Sequence, residues 1–157
     1  AEVEIVSTTG RRRIPVEALF ADYMETSLQP DELLVAVHIP APGERSGAAY
    51  LKHRLRGVDT ALVGAGVGLT LAENGSCHDA RIGLVGAGTT PLRAVNAEAA
   101  LRGQPVTPET LRGASKAASE ECEPLSDTEA SEWYRREMVA VFVRRAAETA
   151  LARTQRS

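Results

Sequence analysis

Two glycine-rich segments contain the residues most suggestive of chemistry, because a glycine-rich turn can cradle phosphate groups with its backbone N–H donors. Residues 64–68 carry glycine at every second position, but they lie inside an apolar run typical of a strand. Residues 86–88 lie between a strand-like run and a helix-like run, yet Pro91 stands where a dinucleotide turn needs its third glycine. We therefore interpret residues 86–88 as turn or close-packing glycines and predict no nucleotide loop in either segment.

Catalytic and metal-binding motifs are missing from the sequence. It contains no GxSxG nucleophile elbow, no HExxH motif and no P-loop lysine. Cys77 and Cys122 form no CxxC pair, and His38 and His53 lack metal-ligand spacing, so we interpret the adjacent Cys77 and His78 as structural or exposed residues. The chain does not resemble a self-sufficient enzyme, and its sparse cysteines predict a reducing, cytoplasmic compartment.

Composition and charge exclude several classes of protein. The 157 residues are 43% hydrophobic and 25% charged, as in ordinary soluble globular proteins. The net charge of -3 creates no field that would attract nucleic acid or anionic lipid. Acidic neighbours interrupt arginine runs such as residues 11–13, and we interpret these runs as solvated faces. No apolar run approaches the ~20 residues of a membrane span, and residues 1–10 lack the pattern of a signal peptide. We expect no nucleic-acid partner and no membrane span.

The elements of the N-terminal part follow from hydrophobic periodicity. Residues 3–6 alternate like a half-buried strand. A short helical turn is expected after Pro15, and residues 16–24 carry apolar side chains at helical spacing. Residues 33–39 form an apolar, β-branched run that ends at Pro40, which predicts a buried strand. Proline, glycine and charge in residues 40–47 indicate a loop and a domain boundary.

The C-terminal part begins with three predicted strands. Residues 48–55, 62–71 and 80–85 have strand patterns, and Asn74-Gly75 between the last two is a strong hairpin signal because both residues tolerate a positive φ. These strands are expected to form an antiparallel sheet.

Three helices are predicted after the strands. Thr90-Pro91 and Thr107-Pro108 each offer an N-cap followed by a first-turn proline, and Gly103 provides a stop for the first of these helices. The third helix is predicted to begin at Ser126, whose partner Glu129 completes a capping box, and to run for roughly 25 residues. The predicted fold class is α+β, a three-stranded antiparallel sheet with three helices on one face.

Four stretches of the sequence, taken together, carry a family resemblance. They are Ile14-Pro15 with residues 16–20, Tyr23, Thr26, Pro30, Glu32-Leu33-Leu34 and Ile39-Pro40; Tyr50-Leu51-Lys52, Arg56 and Asp59; Gly83, Pro91, Arg93, Glu98, Leu101 and Gly103; and Pro124, Ser126-Asp127, Ser131, Tyr134-Arg135 and Val143-Arg144-Arg145-Ala146. In order and spacing they resemble the FAD-binding medium subunit of the molybdenum hydroxylases, the xanthine dehydrogenase and carbon monoxide dehydrogenase family. Residues 1–40 resemble the C-terminal end of the FAD-binding domain, and residues 48–153 resemble the CO dehydrogenase flavoprotein C-terminal domain.

The resemblance implies a role in electron transfer. Medium subunits of this family hold FAD and pass electrons from iron-sulfur centres to an acceptor, while the molybdenum cofactor and the iron-sulfur clusters belong to other subunits. The implied partners are an N-terminal FAD-binding part, an iron-sulfur small subunit and a molybdenum large subunit. The family's pyrophosphate-binding loops are absent from the sequence, so we expect a fragment, a cleavage product or half of a split subunit. The isolated chain is expected to be inactive and to bind FAD weakly or not at all.

Four residues match family positions near the flavin. Leu34 matches a leucine on the strand that packs against the isoalloxazine ring, and Lys52 matches a lysine beside that ring. Arg56 and Asp59 fall in a loop near the acceptor side. An apolar side chain would exclude water from the ring, and a cation would stabilise the negative charge that the ring gains on reduction. Gly57-Val58 replaces a more charged family sequence, which disfavours NAD as the acceptor.

Two other functions are compatible with the sequence. The chain could be a docking or assembly module that binds other subunits without a flavin of its own, or an independent small ligand-binding α+β domain. The resemblance implies no catalytic residue and no metal ligand in this chain. Tyr134, Arg135 and Asp127 are interpreted as structural residues that set the last helix and its cap.

Overall fold

The chain divides into two units, Ala1–Ala41 and Pro42–Ser157, in a computed structural model that describes residues 1–55 and 60–155. The first unit contains a three-stranded antiparallel sheet in the order β2-β1-β5 and a separate two-stranded hairpin, β3-β4. The strands are β1 (Glu2–Ser7), β2 (Gly10–Pro15), β3 (Phe20–Asp22), β4 (Glu25–Thr26) and β5 (Leu33–His38), with a 3-10 turn over Val16–Leu19. The core of this unit consists of Val3, Ile5 and Leu19, with Ile14, Val16 and Leu28 packed against them.

The predicted strand at residues 3–6 is confirmed as β1, and the short helical turn expected after Pro15 is confirmed. The helical spacing of residues 16–24 does not continue as a helix to its end. Only Val16–Leu19 is helical, and the chain then forms the β3-β4 hairpin, in which Met24 takes a φ of 59°. A helix this short is marginal without a face to pack against, so pairing of Phe20 with Thr26 prevails over the helical spacing.

The strand predicted at residues 33–39 is confirmed as β5, but it is not buried. Leu33 is 71% exposed and Val35 is 53% exposed. The reason is that β5 is an edge strand, which within the described residues pairs with β1 alone. The apolar run of residues 33–39 therefore predicted the strand correctly, but it did not predict whether the strand is buried.

The arginine run at residues 11–13, which we interpreted as a solvated face, belongs to β2 and forms specific ion pairs. Arg12 makes a two-pronged pair with Glu32, with both N···O distances at 2.7 Å. This pair holds the pKa of Glu32 at about 2, chiefly through the Arg12 hydrogen bond and then through the Gln29 N–H.

The second unit confirms the predicted α+β class. Within residues 42–55 and 60–155, four antiparallel strands lie in the order β6-β7-β8-β9, and three helices lie on one face of the sheet. The strands are β6 (Ser46–His53), β7 (Val63–Leu71), β8 (Cys77–Val85) and β9 (Leu92–Arg93), and the helices are α1 (Val95–Leu101), α2 (Pro108–Glu120) and α3 (Glu132–Thr154). Helix α3 packs across β6 and β7, α1 packs on β8, and α2 packs on the other two helices. None of the helices in the described residues is long and apolar enough to cross a membrane.

Two predicted helix starts are wrong, and one is confirmed. Thr107 caps α2 as expected, with Thr110 completing the reciprocal box. Helix α1 does not begin at Thr90-Pro91, because residues 92–93 first pair with β8 as β9. Helix α3 does not begin at Ser126, because the next residues form a turn in which the Asp127 carboxylate accepts from two backbone N–H groups.

Two serines serve the start of α3. Ser131 is the N-cap, and its hydroxyl accepts from the Tyr134 N–H. The Ser126 hydroxyl accepts from the Glu132 N–H at 2.8 Å. The capping box predicted for Ser126 and Glu129 does not form, because the turn at Asp127 moves the helix start to Glu132.

The hairpin predicted at Asn74-Gly75 is confirmed between β7 and β8. Only Gly75 has a positive φ, of 81°, whereas the Asn74 side chain accepts from the Ser76 N–H at 3.0 Å. The register shifts at Leu71, beside the turn. Asn74 therefore contributes a side-chain acceptor in place of the left-handed backbone that we expected.

Candidate functional site

The predicted site residues lie in different units of the chain. Leu34 is on β5 in the first unit, where it pairs in register with Ile5 and is 37% exposed. Lys52 is on β6 in the second unit and is exposed. Arg56 and Asp59 lie outside the described residues.

Lys52 lies on the outer face, which we define as the side of the second-unit sheet opposite its three helices. Alternation along β6 turns Gly47, Ala49 and His53 toward α3 and turns Tyr50 and Lys52 to the outer face. Among the described residues, none forms an ion pair or hydrogen bond with the Lys52 ammonium. An uncommitted cation and a phenol therefore lie side by side on this face.

Glycines of β7 and β8 lie beside these two side chains on the outer face. The Tyr50 ring covers Gly64, where a Cβ would lie 3.0 Å from the Tyr50 Cζ, and reaches Gly66. Gly66 pairs with Gly83, at which a Cβ would meet nothing within 4 Å. Residues 64–68 lie within β7, as their apolar run predicted. Gly66 and Gly83 add no side chain beside Tyr50, whereas Val85 packs over Gly64 together with Tyr50.

Sequence reasoning missed Tyr50 as a neighbour of Lys52, although the signal was present. The period of two in a strand places residues two apart on one face. Tyr50 was named only as part of the family resemblance, and no position beside Lys52 was predicted for it.

His53 anchors the end of β6 to α3. Its Nε2 forms a hydrogen bond with the Tyr134 hydroxyl at 2.9 Å, and its ring centroid lies 5.2 Å from that of Phe142. Its carbonyl accepts from the Leu62 N–H at 2.9 Å, just before β7 begins. The described backbone on the two sides of residues 56–59 is therefore joined at this point.

Arg135 binds Leu62, the residue whose N–H donates to the His53 carbonyl. Its buried guanidinium donates to the Leu62 carbonyl and to the Asp127 carboxylate. The Arg135 hydrogen bond, followed by those of two backbone N–H groups, holds the pKa of Asp127 at about 2. Gly86, with a φ of 70°, leaves room for the Leu62 carbonyl, which a Cβ at that position would strike. The loop at residues 86–88 is thus a packing turn, as we interpreted it.

Tyr134 and Arg135 therefore do more than begin the last helix, which was the role expected of them. They are consecutive residues of α3 that bind His53 and Leu62, 81 and 73 positions away in the sequence. No local pattern predicts pairs at such separations.

The carboxylates with lowered pKa values are engaged in ion pairs and are not poised for acid-base chemistry. Glu4 accepts from His38, Arg11 and Arg13, in that order of effect, which lowers its pKa to about 2. Glu98, only 1% exposed, accepts from two arginines and from the Ile82 N–H. Burial alone would raise the pKa of Glu98, but these hydrogen bonds outweigh burial and lower it. In the described ranges, no cluster of His, Cys, Asp and Glu could hold a metal ion.

A cavity of about 640 Å³ lies between the turn at residues 87–90 and the start of α3. The arginine and two of the three carboxylates that line it are already paired within the fold. The Glu121 carboxylate accepts from the Asn96 and Ala97 N–H groups, and the Arg136 guanidinium binds Glu132 and the Ser119 carbonyl. The cavity therefore offers no ready cradle for phosphate.

Both units match known protein families. Residues 48–150 match the family described as CO dehydrogenase flavoprotein C-terminal domain, and residues 1–42 match the one described as FAD binding domain in molybdopterin dehydrogenase. The 6-hydroxypseudooxynicotine dehydrogenase complex subunit alpha of Paenarthrobacter nicotinovorans is 33% identical over 155 residues, which cover 99% of this chain and 52% of that protein. The carbon monoxide dehydrogenase medium chain of Afipia carboxidovorans is 34% identical over 155 residues, covering 99% and 54%.

A solved structure shows the same fold. Carbon monoxide dehydrogenase from Hydrogenophaga pseudoflava matches with a TM-score of 0.92 and 33% identity, over 97% of this chain and 53% of that chain. The chain spans about half the length of the relatives it matches.

Proposed function

The chain belongs to the family of FAD-binding medium subunits of molybdenum hydroxylases, and on this basis we propose that it is part of an electron-transfer subunit. In the proposed function, electrons pass from iron-sulfur centres through FAD to an acceptor. The substrate is oxidised on another subunit. This chain would act as the flavoprotein component of a multi-subunit oxidoreductase.

The observation that carries the proposal is the uncommitted ammonium of Lys52 on the outer face. It matches the family lysine beside the flavin, and it stands next to Tyr50 on a face to which Gly66 and Gly83 add no side chain. A planar ring such as that of FAD fits such a surface. The Leu62 carbonyl occupies the space beside the glycine turn at residue 86, so that turn offers no cradle for pyrophosphate. When bound, FAD would accept and release the electrons.

The chain's own residues would adjust the redox potential of the flavin ring and keep water away from it. Lys52 would stabilise negative charge on the ring, and Leu34 would exclude water from one side of it. We assign Arg56 and Asp59 to the acceptor side as part of the same proposal. None of these four residues would make or break a bond of the substrate.

Partners and compartment follow from the same proposal. The subunit would include an N-terminal FAD-binding part and would assemble with an iron-sulfur small subunit and a large subunit that holds the molybdenum cofactor. A cytoplasmic location is supported by Cys77 and Cys122, which are both free and buried thiols.

The test is Lys52→Met in the complete multi-subunit complex, with Lys116→Met as the matched control. These are the two lysines of the sequence, and Lys116 is an exposed residue of α2. Loss of a nearby cation should lower the flavin potential by tens of millivolts, where about 59 mV is a tenfold change for one electron. Electron delivery to the acceptor should slow, and thermal stability should change little.

Redox titration of the bound flavin measures the effect. A potential equal to that of wild type in Lys52→Met would refute the role of Lys52. A collapse in stability with an unchanged potential would make Lys52 a structural residue. Lys116→Met should match wild type in both measurements.

A docking module without its own flavin is the second candidate, and the exposed apolar strand β5 favours it. Leu33, Val35 and Val37 present a surface that a partner could cover. A complex that assembles only with this chain but contains no flavin in its medium subunit would support docking over electron transfer.

A further inference from the structure

We propose that Tyr134 is a positioning residue, which sets the location of the Lys52 ammonium by holding the imidazole of His53. The inference rests on the proposed role of Lys52 at the flavin. It adds a residue on α3, 82 positions away in the sequence, to the machinery of that site.

Two contacts on one side of α3 hold the His53 ring. The Tyr134 hydroxyl forms its hydrogen bond with Nε2 at 2.9 Å, and the two ring centroids are 5.8 Å apart. The Phe142 ring, two helical turns further along, lies 5.2 Å away at an interplanar angle of 30°. A polar contact and an aromatic contact together fix both the position and the tilt of the imidazole.

His53 needs such an anchor because it is the last residue of an edge strand. In the described part of the chain, β6 pairs with β7 alone, and His53 opposite Val63 is the final pair of that ladder. Strand ends open more readily than their middles, so contacts outside the ladder decide how firmly this end is held.

A second connection comes from the next residue of α3. The Leu62 N–H donates to the His53 carbonyl, and the Leu62 carbonyl accepts from Arg135. Tyr134 and Arg135 therefore hold the two chain segments, one each, at the point where those segments are bonded together.

The position of His53 is transmitted to Lys52 through one peptide unit. Neighbouring residues of a strand point to opposite faces. A shift of the His53 ring, which packs against α3, therefore tilts the Lys52 side chain on the outer face. Charge interactions depend on the inverse of distance. A small displacement of the ammonium therefore changes its effect on a neighbouring ring without unfolding the strand.

The test is Tyr134→Phe in the complete complex, alone and combined with Lys52→Met. The phenylalanine keeps the ring and removes only the hydroxyl. We expect Tyr134→Phe to shift the flavin potential in the same direction as Lys52→Met, but by less. In the Lys52→Met background, adding Tyr134→Phe should produce no further shift, because the cation through which Tyr134 acts is gone. A merely structural role would give the same shift in both backgrounds.

Tyr23→Phe is the matched control, since Tyr23 is an exposed tyrosine of the β3-β4 hairpin and should leave the potential unchanged. If Tyr134→Phe fails to assemble, His53→Phe replaces it, because that variant keeps aromatic packing and loses the same hydrogen bond. It should likewise have no effect on the potential once Lys52 is methionine.

The outcomes separate this inference from the proposed function. A shift from Lys52→Met with none from Tyr134→Phe overturns the inference and leaves the proposed function standing. Equal shifts from Tyr134→Phe with and without Lys52 also overturn the inference. A complex in which Lys52→Met itself has no effect overturns the role of Lys52, and the inference with it.

Discussion

Arg135 holds the chain in place just before β7 by binding the Leu62 carbonyl. Its side chain is 8% exposed, and it donates to the Leu62 carbonyl and to Asp127, whose own side chain is 51% exposed. Its Nε has no hydrogen-bond partner among the described residues. A buried guanidinium that loses its carboxylate is costly, so Asp127 is the partner that makes this placement tolerable.

The Asp127 pair predicts a specific dependence on pH. The pKa of Asp127 is about 2 in the folded chain against an ordinary 3.8, so the unfolded chain takes up this proton first as the pH falls. Its contribution to stability is therefore complete above the ordinary pKa and is lost as the pH falls through about 2. We expect Asp127→Asn to lower stability at neutral pH and to flatten the decline between about pH 4 and pH 2.

Urea unfolding midpoints across that pH range test the prediction. Glu148→Gln is the control, because Glu148 is half-exposed and pairs only with Arg144 one turn away on α3. It should leave the profile nearly unchanged. Some acid sensitivity will persist in Asp127→Asn, since Glu4 and Glu32 also have pKa values of about 2. A profile identical to that of wild type would contradict the assignment.

At the scale of elements, the contact of α3 with β6 sets the geometry of the outer face. Helix α3 presents small residues to the sheet, with Ala146 and Ala150 fully buried. Gly47 allows the backbones to approach so closely that a Cβ there would lie 2.7 Å from the Thr154 backbone nitrogen, and closer still to the Ala150 carbonyl. Both partners are backbone atoms, so neither can rotate away.

Gly47→Ala should therefore destabilise the second unit. We expect a loss of about 1–3 kcal/mol or more, because overpacking against backbone forces the two elements apart. Gly113→Ala is the matched control on α2, where a Cβ would meet nothing within 4 Å. It should stabilise the chain by about 0.5–1 kcal/mol, since alanine is the better residue in a helix interior. Chemical denaturation measures both, and a neutral Gly47→Ala would refute the close contact.

At the scale of the whole molecule, the main feature is the apolar surface of β5. Leu33, Val35 and Val37 on β5 and Ile39 just after it are all more than half exposed. One edge of β5 has no partner strand within the described residues. Exposed apolar edge strands recruit further strands unless charge or a partner blocks them.

A polypeptide of residues 1–157 should consequently self-associate through β5. Val35→Lys places a charge on the edge and should shift the population toward monomer, as measured by sedimentation velocity at high protein concentration. Leu125→Lys is the control, because Leu125 is an exposed apolar residue of the second unit, away from any strand edge. A strictly monomeric wild-type polypeptide, or equal effects of the two lysines, would argue against the β5 interface.

Local chemistry was enough to predict several elements from the sequence alone. Thr107-Pro108 specifies the start of α2, because a side-chain acceptor and a residue without an N–H satisfy a helix terminus by themselves. The Asn74-Gly75 turn and the strand patterns of β7 and β8 are equally local, and they predicted the antiparallel sheet. The period of two places Lys52 and His53 on opposite faces of β6, but it does not say which face the helices cover. The match of Lys52 to a flavin-edge position came from the family resemblance.

The tertiary structure decided what depends on distant partners. Strand β9 exists because residues 92–93 meet β8, and α3 starts late because Asp127 engages Arg135 and two backbone N–H groups in a turn. The exposure of β5 depends on what pairs beside it, which an apolar run cannot specify. The bonds of Tyr134 to His53 and of Arg135 to Leu62 join residues more than seventy positions apart. Sequence periodicity extends over a few turns or strand residues, so only the packing of α3 across the sheet could bring these side chains together.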